Sequence, residues 1–194
     1  GNGIYESLIF MPTGHQEDVE EIWQLERQMY EGEFSDSAIQ WREKENLPIG
    51  MAIPIQKLIG NTHGNLFYPA LSGTAFTSWL GKPTVNVVFG LGGGVKDRSA
   101  QFTEKIDLDT FLLKMANQER IQVVDMDKGA WTSIEIEKAD IQMPESLFQR
   151  VNEILEKLAK LKQEGGQDSY LEWALADVNS QIQVVQVASF EDKE

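Results

Sequence analysis

Residues 72–78 (Ser-Gly-Thr-Ala-Phe-Thr-Ser) and 84–91 (Thr-Val-Asn-Val-Val-Phe-Gly-Leu) are two short apolar runs bounded by glycine or proline. Runs of this length, rich in β-branched and aromatic residues and closed by turn residues, are typical of strands. A third run at 51–59 has the same character, although Pro54 within it can donate no ladder hydrogen bond. The sequence therefore predicts three strands near the centre of the chain.

Weaker strand patterns lie at 102–106 and 120–125, and the residues between them, 108–115, are predicted to form a short helix. Nearer the C-terminus, residues 170–175 and 181–187 alternate between apolar and polar side chains. Two alternating runs with a short polar connection are typical of a β-hairpin. The sequence predicts such a hairpin with a five-residue loop.

Helical periodicity is present in two places, over 17–30 and over 145–163, where apolar residues recur at three- and four-residue intervals. A further helix is predicted between them, capped by Ser35 and closed at Leu47, since a residue that precedes proline avoids the helical region. The first two helices form a predicted helical hairpin over 17–47. The stripe of the long helix is made of Leu147, Val151, Ile154, Leu155, Leu158 and Leu161.

These elements predict an α+β fold, with a mostly antiparallel sheet and packed helices. A stripe as large as that of the helix at 145–163 must be buried against a sheet to be stable. We expect a single domain over 1–194, with a sheet region at 50–126 and a closing hairpin at 168–188. The strands near 51 and 72 and the closing hairpin are predicted to share one sheet.

Composition narrows the classes of function. The 31 acidic residues outnumber the 17 basic residues and give a formal charge of −14. This balance disfavours nucleic acids and anionic membranes as partners, because both bind clustered cations. The chain has no cysteine, which excludes disulfides, thiolate metal sites and cysteine nucleophiles. We find no signal peptide and no apolar stretch long enough to span a bilayer, and we expect a cytoplasmic protein.

Isolated motifs provide little support for a catalytic site. His15 and His63 lie far apart, and the spacing around each is not that of a metal site. The glycine run at 90–94 fails the dinucleotide-binding fingerprint, because its sixth position is Val95. Gly81-Lys82 fails the Walker A pattern, because Pro83 follows it and Phe76 stands where the first glycine is required. The simplest interpretation of the glycine run is a tight connection, and no catalytic residue can be assigned.

A series of motifs is more specific than any one of them. Residues 52–60 (Ala-Ile-Pro-Ile-Gln-Lys-Leu-Ile-Gly), 72–77 (Ser-Gly-Thr-Ala-Phe-Thr) and 89–92 (Phe-Gly-Leu-Gly) follow one another, and Glu-Trp-Ala-Leu at 172–175 precedes Val-Val-Gln at 184–186. In this order they resemble the nucleotide-binding, ATP-grasp-type domain of phosphoenolpyruvate synthase and pyruvate phosphate dikinase. The resemblance covers residues 24–100 and 168–188, and it suggests that the chain corresponds to the C-terminal part of that domain only.

The resemblance implies an ATP-grasp-like subdomain and a set of binding residues. Gln56, Lys57 and Leu58 would lie on the hinge strand that meets the adenine. Glu172 would take the ribose or metal-linked position, and Gln186 the metal and phosphate position. The expected cofactors are ATP and Mg²⁺, since magnesium binds carboxylate and amide oxygens together with phosphate oxygens. The alternative to these binding roles is that Glu172 and Gln186 are solvent-facing hairpin residues without a ligand.

The implied activity is that of a phosphotransferase in which ATP phosphorylates a histidine of a mobile partner domain. The expected partners are the remaining domains of a larger enzyme, namely the N-terminal ATP-grasp half and the phosphohistidine domain. Ala188 stands where the resemblance expects an arginine two positions after Gln186, so a phosphate-binding guanidinium is missing. This departure keeps open an alternative, in which the chain is a degenerate homologue that binds nucleotide or a protein without catalysis.

Overall fold

The structure, a computed structural model, describes residues 8–50, 52–79, 82–92, 101–107, 111–136, 146–165 and 168–189. The chain divides into two compact units. One comprises residues 1–58 with 126–130, and the other comprises residues 59–125 with 131–194. Within the described residues, no helix is both long enough and apolar enough to cross a membrane.

The described part of the chain contains three helices and ten strands. The helices are α1 (Glu17–Gly32), α2 (Asp36–Glu45) and α3 (Leu147–Gly165). The strands are β1 (Asn61–His63), β2 (Leu66–Tyr68), β3 (Leu71–Trp79), β4 (Lys82–Phe89), β5 (Gln101–Asp107), β6 (Leu112–Asn117), β7 (Arg120–Asp125), β8 (Ala130–Glu135), β9 (Ser169–Leu175) and β10 (Gln183–Ser189).

The strands form two sheets. The larger has six strands in the order β10-β9-β3-β4-β6-β5, and the smaller has four in the order β1-β2-β7-β8. All pairs in the larger sheet are antiparallel except β4 with β6, which is parallel. The predicted α+β class with a mostly antiparallel sheet is confirmed.

The first unit contains the helical hairpin that the sequence predicts. Ser35 caps α2 by accepting a hydrogen bond from the Ala38 amide (3.3 Å). Arg42 and Glu33 form a buried ion pair at 2.8 Å, and the Arg42 guanidinium also donates to the Glu33 carbonyl oxygen. Removal of either partner would leave a buried charge unpaired, which costs about 3–5 kcal/mol. The pair therefore joins the end of α1 to α2.

The core of the second unit lies between α3 and one face of the larger sheet. The stripe of α3 packs there as predicted: Val151 and Ile154 are fully buried and Leu158 is 2% exposed. The sheet contributes alternate residues of its strands, since successive side chains of a strand point to opposite faces. The main contributors are Leu71, Ala75, Val85, Val87, Leu113, Leu171, Trp173 and Leu175.

The close approach of backbones in this unit requires glycine at several positions, including Gly73 and Gly90. A Cβ at Gly73 would lie 1.9 Å from the carbonyl oxygen of Asn86 on β4. Gly90 has φ +70°, and a Cβ there would lie 2.8 Å from the carbonyl oxygen of Gln122. Both positions therefore exclude a side chain, and this explains the glycines of the second and third motifs.

The predicted strand at 51–59 is wrong within the described residues. Residues 52–60 form no strand, and the first strand begins at Asn61. An apolar run becomes a strand only where a neighbouring strand can pair with it, and Pro54 removes one donor from this run. Ile55 remains 74% exposed, so the run is not the buried strand that its composition suggests.

Two further predictions need correction. Residues 112–115, predicted as part of a helix over 108–115, belong to strand β6, because Leu113 and Met115 alternate towards the core and pair beside β4. Residues 108–110 lie outside the described residues. The loop of the closing hairpin spans residues 176–182 rather than five residues. Ile182, predicted as part of a strand, is instead buried in the core. The strands at 72–78, 84–91, 102–106 and 120–125 and the helix at 145–163 are confirmed, although residue 145 lies outside the described residues.

Candidate functional site

The β9–β10 hairpin places Glu172 directly opposite Gln186. A β-bulge between Val184 and Gln186 shifts the register by one residue. If the register of the first two pairs, Gln183 with Ala174 and Val184 with Trp173, continued along the hairpin, Glu172 would oppose Val185. Gln186 would then lie on the other face of the sheet. Because a bulge re-aims the side chains that follow it, this one inserted residue brings the two predicted cation ligands to the same face.

The pairing continues as a row of polar residues across the larger sheet. Glu172 is opposite Thr74 on β3, Thr74 is opposite Asn86 on β4, and Asn86 is opposite Lys114 on β6. Directly opposite residues share a face, so all five side chains lie on the face away from α3. We call Gln186, Glu172, Thr74, Asn86 and Lys114 the polar row.

Burial increases from the edge of the polar row towards its middle. Gln186 is exposed and Glu172 is half-buried, whereas Thr74 and Asn86 are 8% and 9% exposed. The Asn86 side-chain amide donates to the Thr74 hydroxyl oxygen at 3.0 Å. Thr74, Asn86 and Lys114 were not among the site residues predicted from the sequence. The one available signal was the single asparagine within a run of valines.

The next row on the same face contains the position of the expected arginine. Ala188 is opposite Tyr170, and Tyr170 is opposite Phe76 on β3. The rings of Phe76 and Tyr170 are stacked with centroids 5.9 Å apart. An arginine at position 188 would therefore stand beside Gln186 on the polar face, so the departure from the family pattern falls within the candidate site.

The glycine segment after β4 is held by the protein's own contacts. The Ser72 hydroxyl donates to the Gly90 carbonyl oxygen at 2.6 Å, and the Leu91 amide donates to the Gln122 carbonyl oxygen at 3.0 Å. These bonds fit the interpretation of a tight connection for residues 90–92. The rest of the glycine run lies outside the described residues.

The three residues predicted to contact adenine lie in the segment before β1, which forms neither helix nor strand over residues 52–60. Gln56 and Lys57 are exposed and Leu58 is half-buried. They belong to the first unit, whereas Glu172 and Gln186 belong to the second. The convergence of Gln56 with the two hairpin residues stays a prediction.

Asp18 at the acidic start of α1 and His63 on β1 each have a local contact. Asp18 accepts hydrogen bonds from the Thr13 hydroxyl (2.6 Å) and amide (2.9 Å), and these bonds lower the pKa of its carboxyl. His63 is the last residue of β1 and stacks on Tyr68, with ring centroids 4.1 Å apart. Among the described residues, no group of three or more histidines or acids could hold a metal ion.

The end of α3 is joined to the residue before β9 by a charged contact between Lys162 and Asp168. The Lys162 ammonium donates to the Asp168 carboxylate at 2.8 Å, and the Thr77 hydroxyl donates to the same oxygen at 2.7 Å. The hydrogen bond from Lys162, followed by that from Thr77, lowers the pKa of Asp168. This contact is structural, because it joins α3, β3 and β9 through their own side chains.

Comparison with known proteins identifies a family for this chain. The family model described as "Pyruvate phosphate dikinase, AMP/ATP-binding domain" matches residues 2–192. The match runs along nearly the entire chain, so the prediction that only the C-terminal part of the domain is represented is wrong. No curated protein matches the chain. With its ordered motifs, its α+β fold and this match, the chain belongs to the family of the AMP/ATP-binding domain of pyruvate phosphate dikinase.

Proposed function

We propose that the polar face of the larger sheet binds ATP together with a magnesium ion, and that Glu172 and Gln186 hold the ion. The observation that supports this most directly is their pairing across the β9–β10 hairpin. One carboxylate and one amide offer two oxygen donors side by side. Magnesium is commonly bound by one or two protein oxygens together with the phosphate oxygens of a nucleotide, so this donor set fits the ion.

The charge of the chain supports a requirement for the cation. A protein with a formal charge of −14 repels the polyphosphate group, and the repulsion is strongest beside a half-buried carboxylate such as Glu172. A bound magnesium ion would neutralise both partners and orient the phosphates. We therefore expect ATP to bind tightly only when the cation is present.

The remaining parts of the proposal derive from the family. Gln56, Lys57 and Leu58 would contact the adenine, and the chain would act as the nucleotide-binding part of a larger phosphotransferase. In that enzyme the phosphoryl group passes from ATP to a histidine nitrogen of a partner domain, and the shortened nucleotide is the leaving group. Such transfers depend mainly on positioning and charge neutralisation, and these are what Glu172 and Gln186 would supply.

Calorimetric titration of ATP, in magnesium and again in EDTA, tests the proposal. Wild type should bind ATP more tightly in magnesium than in EDTA. Glu172→Gln should weaken the binding in magnesium by about tenfold or more, which is the lower end of the losses typical of changes around a metal site. Glu135→Gln, an exposed acid of β8, is the matched control and should bind as wild type does. Equal affinities of all three proteins in both buffers would refute the assignment.

A second candidate is a homologue that binds nucleotide without transferring phosphate. Ala188 favours it, because this residue lies on the polar face where the family pattern has an arginine. An arginine near a transferring phosphoryl group can contribute about 10³-fold or more to the rate. Magnesium-dependent ATP binding, together with no labelled phosphohistidine on an added partner domain, would support this candidate over the first.

A further inference from the structure

We propose that Thr74, held by Asn86, is a positioning residue for the Glu172 carboxylate. The proposal rests on the proposed function, in which Glu172 holds the cation of the bound nucleotide. It concerns how the carboxylate is oriented before the ion arrives.

The register brings the three side chains together. Thr74 is directly opposite Glu172 in the pairing of β3 with β9, and directly opposite Asn86 in the pairing of β3 with β4. Directly opposite residues of antiparallel strands have Cβ atoms about 4.5–5.5 Å apart on one face. The Thr74 hydroxyl therefore lies between an amide on one side and an acid on the other.

The direction of the observed hydrogen bond leaves the hydroxyl proton of Thr74 available. The Asn86 amide nitrogen donates to the Thr74 oxygen at 3.0 Å. A hydroxyl has one proton and two lone pairs, and this bond uses a lone pair only. The proton is therefore available to an acceptor other than the amide, and Glu172 is the acid directly opposite Thr74 on β9. A hydrogen bond from this proton would orient the carboxylate, as bonds to metal-ligating groups generally do.

An asparagine at position 86 destabilises the folded state if packing is its only role. It stands among Val85, Val87 and Val88, is 9% exposed, and its side-chain oxygen is buried without a hydrogen-bond partner in the described part of the chain. A buried polar atom without a partner destabilises the folded state. Such local conflicts with folding are expected at functional sites, and here the conflict lies on the polar face.

Two other buried threonines of this sheet have structural contacts that account for them. The Thr77 hydroxyl donates to Asp168, and the Thr84 hydroxyl donates to the Lys82 carbonyl oxygen. Thr84 is 1% exposed and lies on the same face as Asn86. It therefore provides a matched control for Thr74, since the same substitution removes a buried hydroxyl that is not next to Glu172.

The test measures the dependence of ATP binding on the magnesium concentration in Thr74→Val, Thr74→Ser and Thr84→Val. Thr74→Val should raise the concentration required for half-maximal binding about tenfold, as expected for loss of an outer-shell partner, and leave the weak affinity in EDTA unchanged. Thr74→Ser, which keeps the hydroxyl, should restore the wild-type value. Thr84→Val should match wild type, and Asn86→Leu should shift the value in the same direction as Thr74→Val by a smaller factor.

Thermal unfolding of each variant separates positioning from folding. If Thr74→Val leaves the magnesium dependence unchanged, or weakens binding equally in EDTA, the positioning role is refuted while the proposed function stands. If Thr74→Val does not fold, an unchanged magnesium dependence in folded Asn86→Leu refutes it. If wild type shows no magnesium-dependent binding of ATP, the proposed function fails, and the role of Thr74 fails with it.

Discussion

The two faces of the larger sheet are built from the same strands but have opposite chemistry. Towards α3, Val85 and Leu171 are fully buried and Leu71 is 1% exposed. Towards the other side, the same strands present Glu172, Thr74 and Asn86 in one row. One set of alternate residues forms the core with α3, while the other set carries the polar row, so changes on each face should have separable effects.

The largest expected effect is on the face that α3 covers. Ile154 is fully buried in the core, so Ile154→Ala should lower the free energy of unfolding by about 2–5 kcal/mol through lost burial and a residual cavity. Urea unfolding measures the change, and the exposed Lys157→Ala on the same helix is the control. A loss below about 1 kcal/mol would show that α3 does not depend on this face for its stability.

The next effect should appear on the polar face and leave stability alone. Ala188→Arg adds a cation beside Gln186 and Tyr170, and it should tighten magnesium-ATP binding by about 1.5–3 kcal/mol through a charge-assisted hydrogen bond to phosphate. Calorimetry measures the affinity. Ala188→Gln, which adds length without charge, should have little effect. Equal affinities of the arginine and glutamine variants would contradict the position assigned to the phosphates.

A smaller effect is expected at the contact between the end of α3 and the larger sheet, where Lys162 and Thr77 bond to Asp168. Contacts with Lys162 and Thr77 lower the pKa of Asp168 from its ordinary value of 3.8. An acid with a lowered pKa in the folded state stabilises the fold above 3.8, and this contribution is lost as the pH falls through the folded-state pKa. The carboxylate is about one-third exposed, so we expect roughly 0.5–1 kcal/mol.

Thermal unfolding of Asp168→Asn and wild type between pH 7 and pH 2 checks this expectation. The melting temperature of the variant should be lower at pH 7, and the difference should shrink as the pH falls below 3.8. Glu156→Gln, on the exposed side of α3, should show no such convergence. A difference that persists unchanged at pH 2 would mean that the asparagine disturbs packing instead.

The sequence was sufficient where the determinants are local. The spacing of Val151, Ile154 and Leu158 predicts α3 without knowledge of any partner, because a helix places those residues on one side by itself. Ser35 predicts the start of α2 for the same reason, since a cap bonds within its own first turn. The ordered motifs identified the family for a different reason, which is that several short patterns in one order rarely coincide.

Sequence reasoning failed where the partner of a residue decides its structure. The run at 51–59 has strand composition but no strand forms at residues 52–60, and Leu113 fits a helix until its pairing beside β4 is known. The candidate site depends on register in the same way. Glu172 and Gln186 were predicted from motifs, whereas their shared face depends on a one-residue bulge after Val184 that their spacing does not reveal.

Paramagnetic broadening tests whether the cation of the nucleotide binds on the polar face. Manganese replaces magnesium in a titration with ATP, and the loss of amide signals in the NMR spectrum reports which residues are near the ion. We predict the strongest loss at Glu172 and Gln186, a weaker loss along Thr74 and Asn86, and the weakest loss along α3 on the opposite face. Broadening that begins instead at the acidic residues of α1, or that is the same with and without ATP, would contradict the account.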